Sequence, residues 1–279
     1  FTDSRLSMAV FFEANFKNAN LNRAQVKGAK LAGGTFENTS LPRADITGAD
    51  LTDAKFLNSN LSRAKLNGAI LRRTYLKGSD LSEADLSIAD LTGASLIEVK
   101  LIGANMERIK LNQAKLPGAQ LCGAKINKAK LVQVDLSKAD LSGANLTGAD
   151  LTESNLQDCD LSRANLTEAT LQKANLKSTF LIGANLQKAD LTEVNLEEAN
   201  IAGTKLGKAN CQKANMKKVD LQRSDLEHAD FAQADLTDAN LTGSKLGDAY
   251  FKNANLTGAN LSLADTTDTD FSDAKGYNS

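Results

Sequence analysis

Few side chains in this 279-residue sequence have the chemistry for catalysis or metal binding. The single histidine, His228, has no cysteine cluster near it, and a lone histidine of this kind indicates a solvated surface residue. Three cysteines are too sparse for a disulfide framework, and none has a neighbouring base that would activate its thiol: Cys122, Cys159 and Cys211. We therefore expect no catalytic residue, no metal site and no cofactor.

Carboxylates are numerous, but their spacing follows a repeat of the chain rather than a catalytic pair. Asp225, Glu227, Asp230 and Asp235 belong to that repeat, and we interpret them as a solvated face. The glycines follow the same spacing, and no Gly-x-x-x-x-Gly-Lys-Ser/Thr phosphate loop occurs. The sequence therefore indicates a protein that is not an enzyme.

Charge is balanced overall but unevenly distributed. The formal net charge of −1 argues against a chain whose whole surface binds nucleic acid, and against a uniformly acidic mimic of nucleic acid. Basic residues exceed acidic ones between 97 and 138, whereas acidic residues dominate between 219 and 275. No apolar run approaches the ~18 residues of a membrane span, so we expect no transmembrane segment.

A five-residue repeat runs through nearly the whole chain. From Leu6 to Phe271 every fifth residue is apolar, with Thr266 as the exception. The residue two positions earlier is most often Ala, and Asp, Asn or Lys usually lies between the two. The repeating unit is Ala-(Asp/Asn)-Leu-X-X, as in residues 144–148.

A period of five excludes a straight helix or strand. Five residues advance an α-helix by a net ~140°, so the leucines would spread around its whole surface. In a strand, an odd repeat would place successive leucines on opposite faces. The pattern is satisfied if the chain turns a corner every five residues, with Ala and Leu inward and Asp or Asn outward. Glycine at the second corner position, as at Gly28 and Gly48, suits turns that require positive φ.

This repeat resembles the pentapeptide-repeat protein family over about residues 6–275. The resemblance implies an all-β fold, a right-handed quadrilateral parallel β-helix of about 13 coils with about 20 residues each. It divides the chain into an N-terminal edge segment (1–5), a single β-helix (6–275) and a C-terminal tail (276–279). The fold leaves the function open.

Side chains that the repeat does not require are the candidate protein contacts. Met8, Val10 and Phe12 lie close together at the N-terminal edge, where an unpaired solenoid end favours end-to-end self-association. Phe180 and Ile182 flank an inward leucine on one face and form a candidate apolar contact.

Three arginines, Arg23, Arg43 and Arg63, occupy one corner position in three successive coils. Because stacked like charges repel, this ladder either extends into solvent or receives an anionic partner.

We therefore predict a non-catalytic protein-binding scaffold or structural rod that acts through a solenoid face or end. We expect an unidentified protein partner within a larger complex, and we expect no nucleic acid. The family is abundant in cyanobacteria and in chloroplast thylakoid lumens, so the resemblance alone favours the chloroplast thylakoid lumen or a soluble compartment of a cyanobacterium. The resemblance also provides an alternative, a DNA-mimicking regulator of a type II topoisomerase. Such members are strongly acidic and dimerise through a C-terminal module, whereas this chain is basic between 97 and 138 and its tail is short.

Overall fold

The computed structural model describes residues 1–277. The chain divides into two compact units, Phe1–Asp140 and Leu141–Ser279, and the second is described as far as residue 277. Within each unit the backbone turns a corner every five residues and pairs in parallel with the segment 20 residues later. Each unit is a right-handed quadrilateral β-helix, as the resemblance to the pentapeptide-repeat family implies. The division of the chain into segments 1–5, 6–275 and 276–279 stays a prediction.

Regular pairing in both units consists of single-residue bridges rather than longer strands. The residues of the described part contain no helix, and their strands are one residue long. The bridges run from Arg5↔Gln25 to Gln120↔Asp140 in the first unit and from Asn145↔Asn165 to Asn255↔Lys275 in the second.

Backbone hydrogen bonds join each coil to its neighbours at every side of the square. The N–H groups of Leu61 and Arg63 donate to the following coil over 2.7 and 2.9 Å, and that of Lys65 donates to the preceding coil over 2.9 Å. The Ala64 N–H closes the corner by donating to the Leu61 carbonyl at 3.0 Å. The sheet ladders and the corners therefore satisfy the buried backbone together.

Each corner is a four-residue tight turn. Its third residue, which is the second corner position of the repeat, has a left-handed conformation. An i→i+3 hydrogen bond together with a positive φ at this third residue is typical of a type II turn, which normally selects glycine there. From Asp3 to Asp273, every second corner residue has positive φ, and most of these residues are not glycine. The sequence predicted this conformation only where glycine stood; the closure of the coil imposes it everywhere.

Ile88 provides a test of the strain at these corners. Its φ is 53° and its side chain is exposed, an unfavourable combination because β-branched residues rarely adopt the left-handed region. We expect Ile88→Gly to stabilise the fold by about 1 kcal/mol, since the left-handed conformation costs L-residues roughly this much. Urea unfolding measures the change. Gly48→Ile, at the corresponding corner two coils earlier, should destabilise; a loss of stability in Ile88→Gly would contradict the explanation.

The outward Asp and Asn residues have a structural role at the corners, which explains their frequency. Asn145 accepts a hydrogen bond at Oδ1 from the Thr147 N–H (3.1 Å), and the Thr147 hydroxyl donates to the same oxygen (2.7 Å). Asp190 binds Thr192 in the same way. We call this arrangement the Asx cap; it satisfies the first N–H of the corner with a side chain.

Because many Asx caps use carboxylates, we expect the stability of the fold to depend on pH. Partial burial raises the pKa of Asp190, but hydrogen bonds from Thr192 and Gln172 more than offset this and hold the pKa below its usual value. A carboxyl group with a lowered pKa in the folded state stabilises the fold above about pH 4 and loses this effect as the pH falls further. We expect stability to decline below about pH 4, and Asp190→Asn, which keeps the acceptor, to decline less steeply. Denaturant titrations between pH 2.5 and 6 measure both; identical profiles would contradict the role of this carboxylate.

Inward positions form a continuous apolar core in each unit. Between the first and last coils the repeat leucines and alanines are almost fully buried, which confirms the predicted inward assignment. Aromatic rings stack along the first unit, with centroid separations of 5.0 Å for Phe16–Phe36 and 4.5 Å for Phe36–Phe56. Glycine replaces alanine at Gly34 because a Cβ there would lie 2.8 Å from the Phe36 ring.

A second column of stacked rings, Phe231, Phe251 and Phe271, lies in the second unit, and the last described residues cover its end. Phe251 stacks on Phe271, whose ring carries Tyr277 at a centroid distance of 3.8 Å. Gly276 permits this path, because a Cβ there would come within 2.6 Å of the Thr257 backbone. The predicted tail, 276–279, thus begins with residues packed on the coil, and its residues 278 and 279 lie outside the described part.

Candidate protein-contact surfaces

The three cysteines differ in accessibility. Cys159 and Cys211 are buried at inward positions, whereas Cys122 is exposed beside a corner. Burial raises the pKa of the Cys211 thiol, and the carboxylates of Asp230 and Asp190 raise it further. The buried thiols therefore act as small apolar core residues.

This difference predicts the thiol reactivity of the native protein. We expect one thiol, that of Cys122, to react with a water-soluble disulfide reagent, and all three to react after denaturation. Absorbance of the released thiolate counts the groups, and Cys122→Ser is the control that should remove the fast reaction. Rapid reaction of more than one thiol would show that the core opens.

His228 lies on a groove of the second unit, where its Nδ1 is 3.6 Å from Oδ2 of Asp248. Both side chains are about half exposed, so their contact is a surface ion pair when the histidine is protonated. Within residues 1–277, no group of three His, Cys, Asp or Glu side chains is arranged to hold a metal ion.

Two arginines of the ladder form ion pairs within the protein, which neither alternative included, and the third is exposed and unpaired among the described residues. Acidic residues flank it in the same corner column: Arg23 donates from Nε and Nη2 to Asp3 (2.9 and 2.7 Å), and Arg63 donates to Glu83 (2.9 and 3.0 Å). The hydrogen bonds from Arg63 lower the pKa of Glu83. Arg43, between the two pairs, makes no ion pair with any described residue and lines a shallow groove. A role of the ladder in partner binding stays a prediction.

Met8, Val10 and Phe12 lie on the first coil with large exposed fractions, 74%, 61% and 61%. Phe11 packs inward, 5.7 Å from the Phe16 ring. These three side chains lie on the outside of the first coil, and end-to-end self-association through them stays a prediction.

Phe180, Ile182 and Ala202 form a compact surface that we call the Phe180 patch. Phe180 and Ile182 are 50% and 47% exposed on either side of Leu181, which is fully buried. Ala202 follows Ile182 in the next coil, and Gly203 beside it has open space above it. An aromatic ring, an aliphatic side chain and small neighbours thus give a flat apolar area on a polar surface.

The fold does not require an aromatic residue at position 180, because Asp or Asn at the equivalent positions stabilises the corner. In the preceding coil, Asp160 caps the Ser162 N–H at 2.8 Å, and in the following coil Asn200 caps the Ala202 N–H at 3.2 Å. Phe180 occupies the equivalent position and has no acceptor for the Ile182 N–H. This coil therefore lacks an Asx cap at the position where it exposes an aromatic ring.

The sequence matches the family model for pentapeptide repeats, which spans eight copies of the unit. The matched segments are 19–58, 59–96, 89–127, 104–143, 129–167, 144–181, 159–197, 195–233 and 234–273. The chain belongs to the pentapeptide-repeat family.

Solved structures of other pentapeptide-repeat proteins are similar to this one. HetL, involved in heterocyst differentiation regulation in the cyanobacterium Nostoc sp. strain PCC 7120, is 31% identical over 86% of this chain and 90% of its own, with a TM-score of 0.31. Full-length QnrB1, a plasmid-mediated fluoroquinolone resistance protein, is 19% identical over 65% of this chain and 92% of its own (TM-score 0.35). A protein of the Arabidopsis thaliana thylakoid lumen is 29% identical over 50% of this chain and 68% of its own (TM-score 0.23). No curated protein sequence matches the chain.

None of the described residues belongs to a helix that is long and apolar enough to cross a bilayer.

Proposed function

We propose that this pentapeptide-repeat protein is a non-catalytic protein-binding scaffold and that the Phe180 patch is its principal contact surface. One observation carries the proposal: Phe180 replaces a fold-stabilising Asx cap with a half-exposed aromatic ring. Aromatic side chains that are rigid and partly exposed are typical anchors of protein interfaces. Repeat proteins commonly use such extended surfaces for binding.

The neighbouring coils supply a variant that removes the patch and leaves the fold intact. Phe180→Asn restores the acceptor that Asp160 and Asn200 provide, and Ile182→Ser reproduces the preceding coil. We expect the double variant to be at least as stable as the wild type and to lose its partner. Thr170→Asn, an outward change on another face, is the matched control.

Crosslinking of the tagged protein in native extract, with mass spectrometry of the linked peptides, tests the proposal. Lys173 and Lys188, which are exposed, and Lys177, which is half-buried, lie near the patch in sequence and provide the reactive amines. We expect reproducible crosslinks from these lysines to one protein, lost in Phe180→Asn/Ile182→Ser and kept in Thr170→Asn. Crosslinks that persist in the double variant would contradict the proposed surface.

The DNA-mimicking regulator of a type II topoisomerase remains the alternative. Its support is the acidic excess between 219 and 275. Part of that charge is neutralised locally, since Lys217 Nζ lies 3.4 Å from Asp235 Oδ2. Crosslinks from 219–275 to topoisomerase subunits would favour this alternative over the scaffold.

A further inference from the structure

One face of the first unit gives up the Asx cap in five successive coils. Its outward column is Thr35, Lys55, Tyr75, Ser95 and Lys115, joined by parallel bridges, and we call it the Tyr75 face. Asn15 precedes this run and Asp135 follows it, so both ends return to the capping residues. The fold does not require non-capping residues in this column, because many outward positions on the other faces of the same unit are Asp or Asn.

The Tyr75 face is concave at its centre. Tyr75 is 50% exposed, and a groove of about 360 Å³ lies beside it. Small residues in the next coil, Gly93 and Ser95, line the groove together with Ile97 and Lys115. A lining of aromatic, aliphatic and small side chains suits one apolar side chain with the backbone next to it.

Positive charge surrounds this groove and is not neutralised by the fold. Lys55, Lys77 and Lys115 are exposed and form no ion pair with any residue in the described part. Asp53 is bound by Arg73, which donates from Nε and Nη2 over 2.8 and 2.6 Å, so this nearby carboxylate is already paired. The face therefore has charge complementarity for an anionic partner.

The spacing of the lysines matches an extended chain. Lys55 and Lys115 are three coils apart, which is about 14 Å at the spacing of paired strands. Residues i and i+4 of an extended peptide are also about 14 Å apart, and residue i+2 points the same way halfway between. Acidic side chains at i and i+4 would meet the two lysines while residue i+2 entered the groove beside Tyr75.

We propose that the Tyr75 face binds an extended segment of a partner protein with the pattern acidic-x-apolar-x-acidic, lying across the coils. The proposal rests on the protein-binding function above but uses a different surface from the Phe180 patch. A nucleic-acid strand fits this face less well, because the lysines are separated by an apolar groove rather than joined in a continuous basic track, and one tyrosine offers a single stacking site.

Fluorescence anisotropy with labelled, amidated peptides tests the proposal on the full chain. The probe is Gly-Ser-Glu-Ser-Leu-Ser-Glu-Ser-Gly, and the control peptide has both Glu replaced by Lys. Tyr75→Asn and Lys55→Ser are the test variants; Tyr75→Asn also supplies the missing acceptor for a cap. Tyr250→Asn, which replaces an outward tyrosine of the second unit, and Lys65→Ser, an outward lysine on another face, are matched controls.

We expect saturable binding of the Glu peptide, at least 10-fold weaker in both test variants and unchanged in both controls, with no binding of the Lys peptide. Equal affinity of wild type and Tyr75→Asn would overturn the proposal, as would the absence of binding. A 12-nucleotide single strand that binds with the same variant dependence would assign the face to nucleic acid and overturn it as well. Crosslinks through the Phe180 patch are measured separately, so a failure here leaves the scaffold proposal standing.

Discussion

Leu146→Asp is expected to destabilise the second unit by more than about 4 kcal/mol, which is a large effect for a single substitution. The Leu146 side chain is fully buried, and its N–H donates to the Asn165 carbonyl of the next coil at 2.7 Å. A carboxylate in this apolar column has no partner, so it must either remain protonated or separate the coils. Thermal unfolding followed by circular dichroism measures the loss.

Asn145→Asp is the matched control for this substitution. It introduces the same charged group one residue earlier, at an outward position where Asp and Asn both cap the corner. We expect its melting temperature to stay within about 2 °C of the wild type, because surface changes of this kind have small effects. Equal melting temperatures of Leu146→Asp and the wild type would disprove the inward assignment.

Phe36→Ala is expected to cost about 3–5 kcal/mol, the usual range for truncation of a buried phenylalanine. The ring lies between those of Phe16 and Phe56, at 5.0 and 4.5 Å, and is 2% exposed. Its removal leaves a cavity that the backbone cannot close, since every corner around it is fixed by hydrogen bonds. Urea denaturation gives the change in the free energy of unfolding.

Phe12→Ala provides the comparison within the same unit, because Phe12 is 61% exposed. We expect a change below about 0.5 kcal/mol for this variant. If the two substitutions cost the same, the aromatic column would not be the main stabilising feature of the first coils.

The fold was predictable because a five-residue period admits few solutions. Inward Leu and Ala, outward Asp and Asn, and a corner at every fifth residue followed from periodicity, and the buried side chains confirm them. The conformation of the corners was only partly predictable. Residues such as Ile88 adopt a positive φ that their own preferences oppose, because coil closure outweighs local propensity.

Surface contacts were harder to predict, since they depend on which side chains stack between coils. The arginine ladder seemed unpaired along the sequence, yet Asp3 and Glu83 lie 20 residues from Arg23 and Arg63 and pair with them. A scan at a spacing of 20 would have found both pairs. The packing of the Tyr277 ring on Phe271 was not predicted, because no feature of the repeat indicates an aromatic ring that returns to the core.

The Asx cap supplies a criterion that separates structural surface residues from candidate contacts. Outward Asp and Asn stabilise the corner, so their abundance needs no partner to explain it. Outward Phe180 and Tyr75 provide no cap and expose half of their surface, as does Tyr250. Because Phe180 also has apolar neighbours and Tyr75 has beside it a groove and lysines that make no ion pair in the described part of the chain, we interpret these two residues, rather than the many charged positions, as candidate contacts.

Joint measurement of stability and partner recovery for Phe180→Asn separates a binding role of this ring from a structural one. We expect the variant to unfold at the same or a higher temperature than the wild type, because the Ile182 N–H gains a cap, and to recover the crosslinked partner no longer. A variant that keeps the partner, or one that loses the partner only because it is less stable, would contradict the claim that Phe180 is there for binding.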